Sequence, residues 1–241
     1  LKVACPHLDW PEAARQTVHL GKVLQGDDFL IAAPEGANTV TARVIGVVEN
    51  QAPTKALTID LAVTDGRVEP DEARDVAQIA LVERHRGTGG VVNGFVSGFG
   101  YSGRMAIAST VAHDSHHMIV VGTDRDMMAS AANRLGEIGG GITVWKDGAE
   151  IASVPLPIAG LMSDRPAEEV AAAAERMVRA MAESEAEQVT AYAAEADAAD
   201  GSTDPGLEGS SEGDAEGSWF LEKSEGEGFE SYSPAEKAAV I

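Results

Sequence analysis

Through the first two-thirds of the chain, apolar positions recur in short runs of strand length, separated by polar and glycine-containing breaks. Residues 40–48 alternate in strand fashion and end at Asn50-Gln51-Ala52-Pro53. Leu57, Ile59, Leu61 and Val63 repeat the two-residue period up to a turn at Asp65-Gly66, so these two runs predict a strand pair. A polar connector over 70–74 leads to further apolar runs at 76–82, 91–96, 105–111 and 118–121. The period then changes. Met127, Met128, Ala131, Leu135 and Ile138 share one side of a helix, with Thr123 or Asp124 as its cap and Gly139-Gly140-Gly141 as its stop. Runs at 142–145 and 151–154, joined through Asp147-Gly148, predict a hairpin. Ser163 and Asp164 then precede Pro166, in the first turn of an Ala- and Glu-rich helix running to about Ala199.

These elements predict an α/β or α+β fold, a mixed β-sheet packed with helices plus a long C-terminal helix. The expected organisation is a lead-in or linker over 1–39, punctuated by Pro6, Pro11 and Pro34, and a domain over 40–199. Residues 200–241 form an acidic Gly/Ser-rich tail, expected to be disordered because it has little apolar surface to offset ordering entropy. Within the tail, Trp219-Phe220-Leu221 is a candidate docking patch.

Charge sharpens that division. The formal net charge is -21, but residues 1–165 carry 20 acids and 14 bases (-6), and residues 166–241 carry 19 and 4 (-15). The body is therefore mildly acidic and lacks the Lys/Arg clusters that phosphate recognition needs, which argues against nucleic acid as a partner. Cys5 is alone, so neither a disulfide framework nor a Cys-rich zinc site is expected. No apolar run has spanning length and no signal-peptide pattern opens the chain, so the expectation is a cytoplasmic protein with no membrane partner. The first residue, Leu1, suggests a chain that starts inside a longer reading frame.

Candidate chemistry is concentrated in residues 83–126, which hold four of the six histidines. His113-Asp114-Ser115-His116-His117 interrupts apolar runs on both sides, and buried polar groups need partners. Glu83-Arg84-His85-Arg86 stands at the end of another run, where two arginines could orient an acid such as Glu83 or Asp114. The cluster admits a hydrogen-bonded histidine network, general acid or substrate-contact roles, or metal ligation with Glu83, His85 and Asp114 as further ligands. It lacks an H-x-H or H-E-x-x-H signature, and Ser109, Thr110 and Ser115 lack a nucleophile elbow. Gly98, Gly100 and Gly103 have G-x-G-x-x-G spacing, but β-branched residues follow where a dinucleotide fold needs a helix.

Five motifs occur in order: VERHRGTG (82–89), NGFVSGFG (93–100), AIASTVAHDSHHMIVVGT (106–123), NRLGEIGGG (133–141) and LPIAGLMSD (156–164). With Val18-His19-Leu20-Gly21 and Val44-Ile45-Gly46-Val47 ahead of them, they resemble the C-terminal region of bacterial and archaeal adenine deaminases, of the amidohydrolase superfamily, over about residues 17–182. The resemblance implies hydrolysis of adenine to hypoxanthine and ammonia, in purine salvage. It also implies a preceding (β/α)8 barrel with a two-metal centre of manganese or iron. The barrel's H-x-H ligand pair is not in this chain, and the apolar closing segment expected beyond Met181 is replaced by the acidic tail. The expectation is thus a fragment or subunit, inactive alone and binding no metal itself, with the barrel and further copies of itself as partners. Its candidates at a composite site are His113, Asp114, His116, His117, Glu83 and His85. The competing expectation is a non-catalytic assembly module or a remnant without activity.

Overall fold

The computed structural model describes residues 9–48, 53–101, 103–112 and 115–182. The acidic tail, Trp219-Phe220-Leu221, His113 and Asp114 lie outside the described residues. After a four-residue helix α1 (Glu12–Arg15), nine strands form one mixed sheet: β1 (Thr39–Gly46), β2 (Lys55–Thr64), β3 (Arg67–Val68), β4 (Val76–Val82), β5 (Val91–Ser97), β6 (Met105–Ser109), β7 (Met118–Gly122), β8 (Gly141–Lys146) and β9 (Ala149–Pro155). Their order across the sheet is β3-β2-β1-β5-β4-β7-β6-β8-β9, antiparallel throughout except for the parallel pair β1–β5. Two hairpins turn on Asp-Gly: the expected one between β8 and β9, and one at the expected Asp65-Gly66 turn, where the short strand β3 is added that the apolar pattern does not predict. Asp65 and Gly66 have φ of 51° and 74°, and Asp147 and Gly148 have 50° and 84°, the left-handed pair that matches strand twist.

Helix α2 (Arg125–Ile138) lies on one face of the sheet. Asp124 is its cap, accepting from Met127 N at 3.0 Å, and Gly139 ends it at φ 79°. Met127, Met128, Ala131, Ala132 and Leu135 are buried against Ala80, Val82, Ala106, Ala108, Met118 and Val120. A further helix, α3, begins at residue 167 and continues to the end of the described residues at 182. It places Met177, with Val170, Ala173 and Met181, on the opposite face over Ala77, Val121, Val144 and Val154. A third cluster, Val44, Leu61, Val68, Val76 and Phe95, fills the β1–β2–β3 side. The result is the expected α+β architecture with helices on both faces of a mixed sheet.

The segment before β1, expected to be irregular, contains α1 and a 3-10 turn over Gly26–Phe29 between irregular stretches, and it contributes to the core. Leu24 and Phe29 are fully buried among the residues of α2 and β4. Asn133 of α2 clamps Leu24 by donating to its carbonyl and accepting from its amide, both at 2.9 Å. Gln78, buried in β4, donates to Phe29 O. Pairing buried polar groups with this backbone satisfies both sides without regular structure. Among the described residues no helix is long and apolar enough to cross a membrane.

Candidate functional site

Four of the five motifs, all but NGFVSGFG, reach one end of the sheet. β4 and β6 end there, β5, β7 and β8 begin there, and β9 ends there, as the pairs Val82↔Met118, Val82↔Val91, Ser109↔Ile142 and Gly141↔Pro155 show. The lead-in crosses the same end, where His19 N donates to Arg84 O at 2.8 Å.

Glu83, just past β4, holds its own loop. Oε1 accepts from the amides of His85 (2.6 Å) and Arg86 (2.7 Å), and Oε2 accepts from the amide (3.1 Å) and hydroxyl (3.0 Å) of Thr88. Burial pushes this carboxyl up, but these donors outweigh it and hold it down at about 2. Glu83 is therefore a fixed anion near neutral pH, with both oxygens engaged.

Arg84 points the other way and is 1% exposed. Its Nε donates to His116 O (2.6 Å), Nη1 to Thr17 O (3.2 Å) and Nη2 to Ala159 O (3.2 Å). Burial lowers its affinity for a proton. Among the described residues no carboxylate pairs with it: main-chain oxygens satisfy the guanidinium, Glu83 is held by its own loop, and Asp114, the other acid expected beside it, lies outside the described residues. Thr110, also buried, completes the floor: its hydroxyl donates to Gly160 O at 2.6 Å and accepts from Gly141 N at 2.8 Å.

Above this floor the structure brings together His85, His116 and His117. His85 is exposed, and its Nε2 donates to Ser115 O at 2.9 Å, which puts the proton of the neutral ring on Nε2. The His85 and His117 rings are 4.8 Å apart between centroids, tilted by 52°. His116 has a left-handed backbone, φ 47°, and both it and His117 are half-buried. The Nδ1 atoms of His116 and His117 are buried and find no hydrogen-bond partner among the described residues. Burial first, then the charge of His85, hold the His117 imidazole below its ordinary range; Glu83 acts weakly in the opposite sense. His19, the remaining histidine among the described residues, is exposed beside Gly87. Among the described residues no group of three or more His, Cys, Asp or Glu side chains is disposed to hold a metal ion.

The G-x-G-x-x-G loop lies at the opposite end of the sheet. Gly98 N and Gly100 N donate to the two carboxylate oxygens of Asp75 at 2.8 and 2.7 Å, and Gly103 N donates to Glu72 Oε2 at 2.8 Å. The amides that would cradle a phosphate are occupied by the chain's own acids, and the loop leads into β6 rather than into a helix.

No residue pattern in the sequence marks Arg84 as an organiser, Thr110 as a bridge, or His19 and Ala159-Gly160 as neighbours of the cluster. Each falls in a stretch that carries the family resemblance, which was the available signal; the convergence itself depends on sheet order.

Residues 51–194 match the family described as adenine deaminase C-terminal domain. The chain is 74% identical over 179 residues to an adenine deaminase of Roseobacter denitrificans, covering 74% of this chain and 30% of that protein. It is 73% identical over 181 residues to an adenine deaminase of a Ruegeria species, covering 75% and 30%. To the adenine deaminase of Ruegeria pomeroyi it is 72% identical over 183 residues, covering 76% and 30%. The chain thus spans about 30% of the length of these curated relatives. With the five motifs, the mixed sheet and this match in agreement, the chain belongs to the adenine deaminase C-terminal domain family.

Proposed function

We propose that this chain is the C-terminal part of an adenine deaminase, converting adenine and water to hypoxanthine and ammonia. In this reading its histidine-bearing loops complete or support an active site whose manganese- or iron-binding barrel is supplied from outside these 241 residues. The observation that carries it is the meeting of His85, His116 and His117 at the end of the sheet that four of the five family motifs reach.

Deamination requires protons to reach the departing amine, and imidazoles exchange protons near neutral pH where most side chains do not. His117, disfavoured as a cation, offers a neutral ring suited to hydrogen bonding an uncharged purine. His85 and His116 present further ring nitrogens, and His113 and Asp114 remain candidates from the sequence beside them. Glu83, held as an anion, shapes the loop under His85 and does not exchange protons near neutrality. Any metal would supply an activated water from the barrel; this chain's residues bind, orient and pass protons. The same reading places the protein in the cytoplasm and in purine salvage. A homo-oligomer is supported by exposed apolar side chains at Val111, Met162 and Val178.

The test is substitution of His113 or His116 by Ala in the complete enzyme, formed by this chain with its barrel. Turnover is expected to fall about 10²–10⁴-fold, the scale of general acid–base contributions, while thermal stability holds. Unchanged turnover with unchanged stability would exclude both residues from the site. The purified 241-residue chain supplied with manganese or iron is expected to release no ammonia from adenine, and turnover by it alone would overturn the composite site.

A further inference from the structure

We propose that Arg84 is the positioning residue of the histidine cluster: its buried guanidinium, bound to three main-chain oxygens, fixes the turn carrying His116 and His117 against the loop carrying His85. This rests on the reading of that cluster as functional and adds the device that sets its geometry.

The three acceptors come from segments far apart in the chain, Thr17, His116 and Ala159, and meet at one side chain. Two of them, His116 and Ala159, are non-glycine residues in the left-handed region, at φ 47° and 57°. That conformation is uncommon for residues with a Cβ and persists where surrounding contacts impose it. Here both carbonyls are presented to the same guanidinium. A fork with donors at Nε, Nη1 and Nη2 can hold three oxygens in fixed directions at once; an ammonium on a flexible stem cannot. The fit is close on the remaining side, since a Cβ at Gly160 would stand 2.8 Å from Nη1.

Packing alone does not call for this arrangement. A buried cation that no acid pairs with among the described residues is costly, and an apolar side chain of similar volume would fill the space at lower cost. What the cation adds is direction, imposed on the backbone of the residue immediately before His117, together with a positive potential beneath the imidazoles. Adjacent side chains of opposite charge thus hold complementary backbone groups. Glu83 gathers the amides of the His85 loop, and Arg84 gathers the carbonyls of the loops around it.

The experiment is histidine side-chain NMR of the 241-residue chain, comparing wild type with Arg84→Lys, which keeps the charge and removes the fork. The His116 and His117 ring signals are expected to shift or double. The His117 titration midpoint, set by burial and by the charges of His85, Glu83, Arg84 and Arg86, is expected to rise toward the ordinary imidazole range. The indole signal of Trp145, at the far end of β8, is expected to stay in place. Gly160→Ala, which crowds the guanidinium without touching residue 84, is expected to produce the same signature and carries the test if Arg84→Lys does not fold. Leu61→Ala serves as a destabilised control in a different part of the core. Wild-type ring signals and midpoint in Arg84→Lys or Gly160→Ala, or equal changes in Leu61→Ala, would overturn the proposal. Turnover is not the readout, so inert histidine substitutions in the complete enzyme would remove the functional reading and leave the positioning result standing.

Discussion

The rings of His85 and His117 pack 4.8 Å apart, joining the β4–β5 loop to the turn that precedes β7. Burial and the neighbouring ring both disfavour a proton on His117. A histidine depressed below 6.5 in the folded state binds fewer protons than the unfolded chain once pH falls through 6.5, so folding weakens toward acid. The urea midpoint is expected to decline below pH 6.5, and His117→Asn is expected to flatten that part of the profile. An unchanged slope in the variant would show that His117 does not cause it.

Glu83 contributes in a lower window. Its carboxyl is depressed from 4.5 to about 2, so its stabilisation is complete above 4.5 and is lost as pH falls toward 2. Glu83→Gln is expected to cost roughly 2 kcal/mol near neutral pH, the scale of hydrogen bonds to a charged group. The difference from wild type should vanish near the acid end. Paired denaturation curves from neutral pH downward check this, and a constant difference across that range would count against it.

Asp75 fills the glycine loop. Asp75→Ala removes the acceptor of two amide bonds and is expected to destabilise the chain by about 2–4 kcal/mol, read by urea denaturation. Calorimetry of the wild-type chain with a nicotinamide dinucleotide is expected to show no saturable binding, because the amides are already engaged. Saturation in the wild type would restore the dinucleotide reading.

Thr110 bridges Gly141 and Gly160 from a fully buried position. Thr110→Val keeps the shape but strands both partners, with an expected loss of about 1–3 kcal/mol in thermal or urea unfolding. Thr110→Ser retains the hydroxyl and should recover most of it; equal losses in both variants would assign the effect to packing.

Much of the fold is legible in the sequence because its signals are short-range. β4 is bounded by its apolar run, α2 by Asp124 and Gly139, and the β8–β9 hairpin by Asp147-Gly148. Strand order is not, since it rests on packing between residues far apart: β4 sits between β5 and β7, and β1 runs parallel to β5. Leu24 and Phe29 carry no periodicity, and only the burial of their neighbours explains why an irregular lead-in is held in the core. At the site, His85, His116 and His117 stand out as polar breaks between apolar runs. Arg84 does not reveal its role, because its partners are backbone oxygens and no residue type marks them.

The single parallel pair has a consequence for how the molecule breathes. Apart from Val44↔Phe95, Ile45↔Val96 and Gly46↔Ser97, extended by Val47 N to Ser97 O at 2.8 Å, no strand pairing among the described residues ties β1, β2 and β3 to the rest of the sheet. A short seam costs less to open than the long antiparallel ladders of β4 with β5 and β7. In native-state hydrogen exchange the amides of β1 and β2 are therefore expected to become labile together, at lower free energy than those of β4, leaving the histidine end of the sheet intact while the other margin unzips.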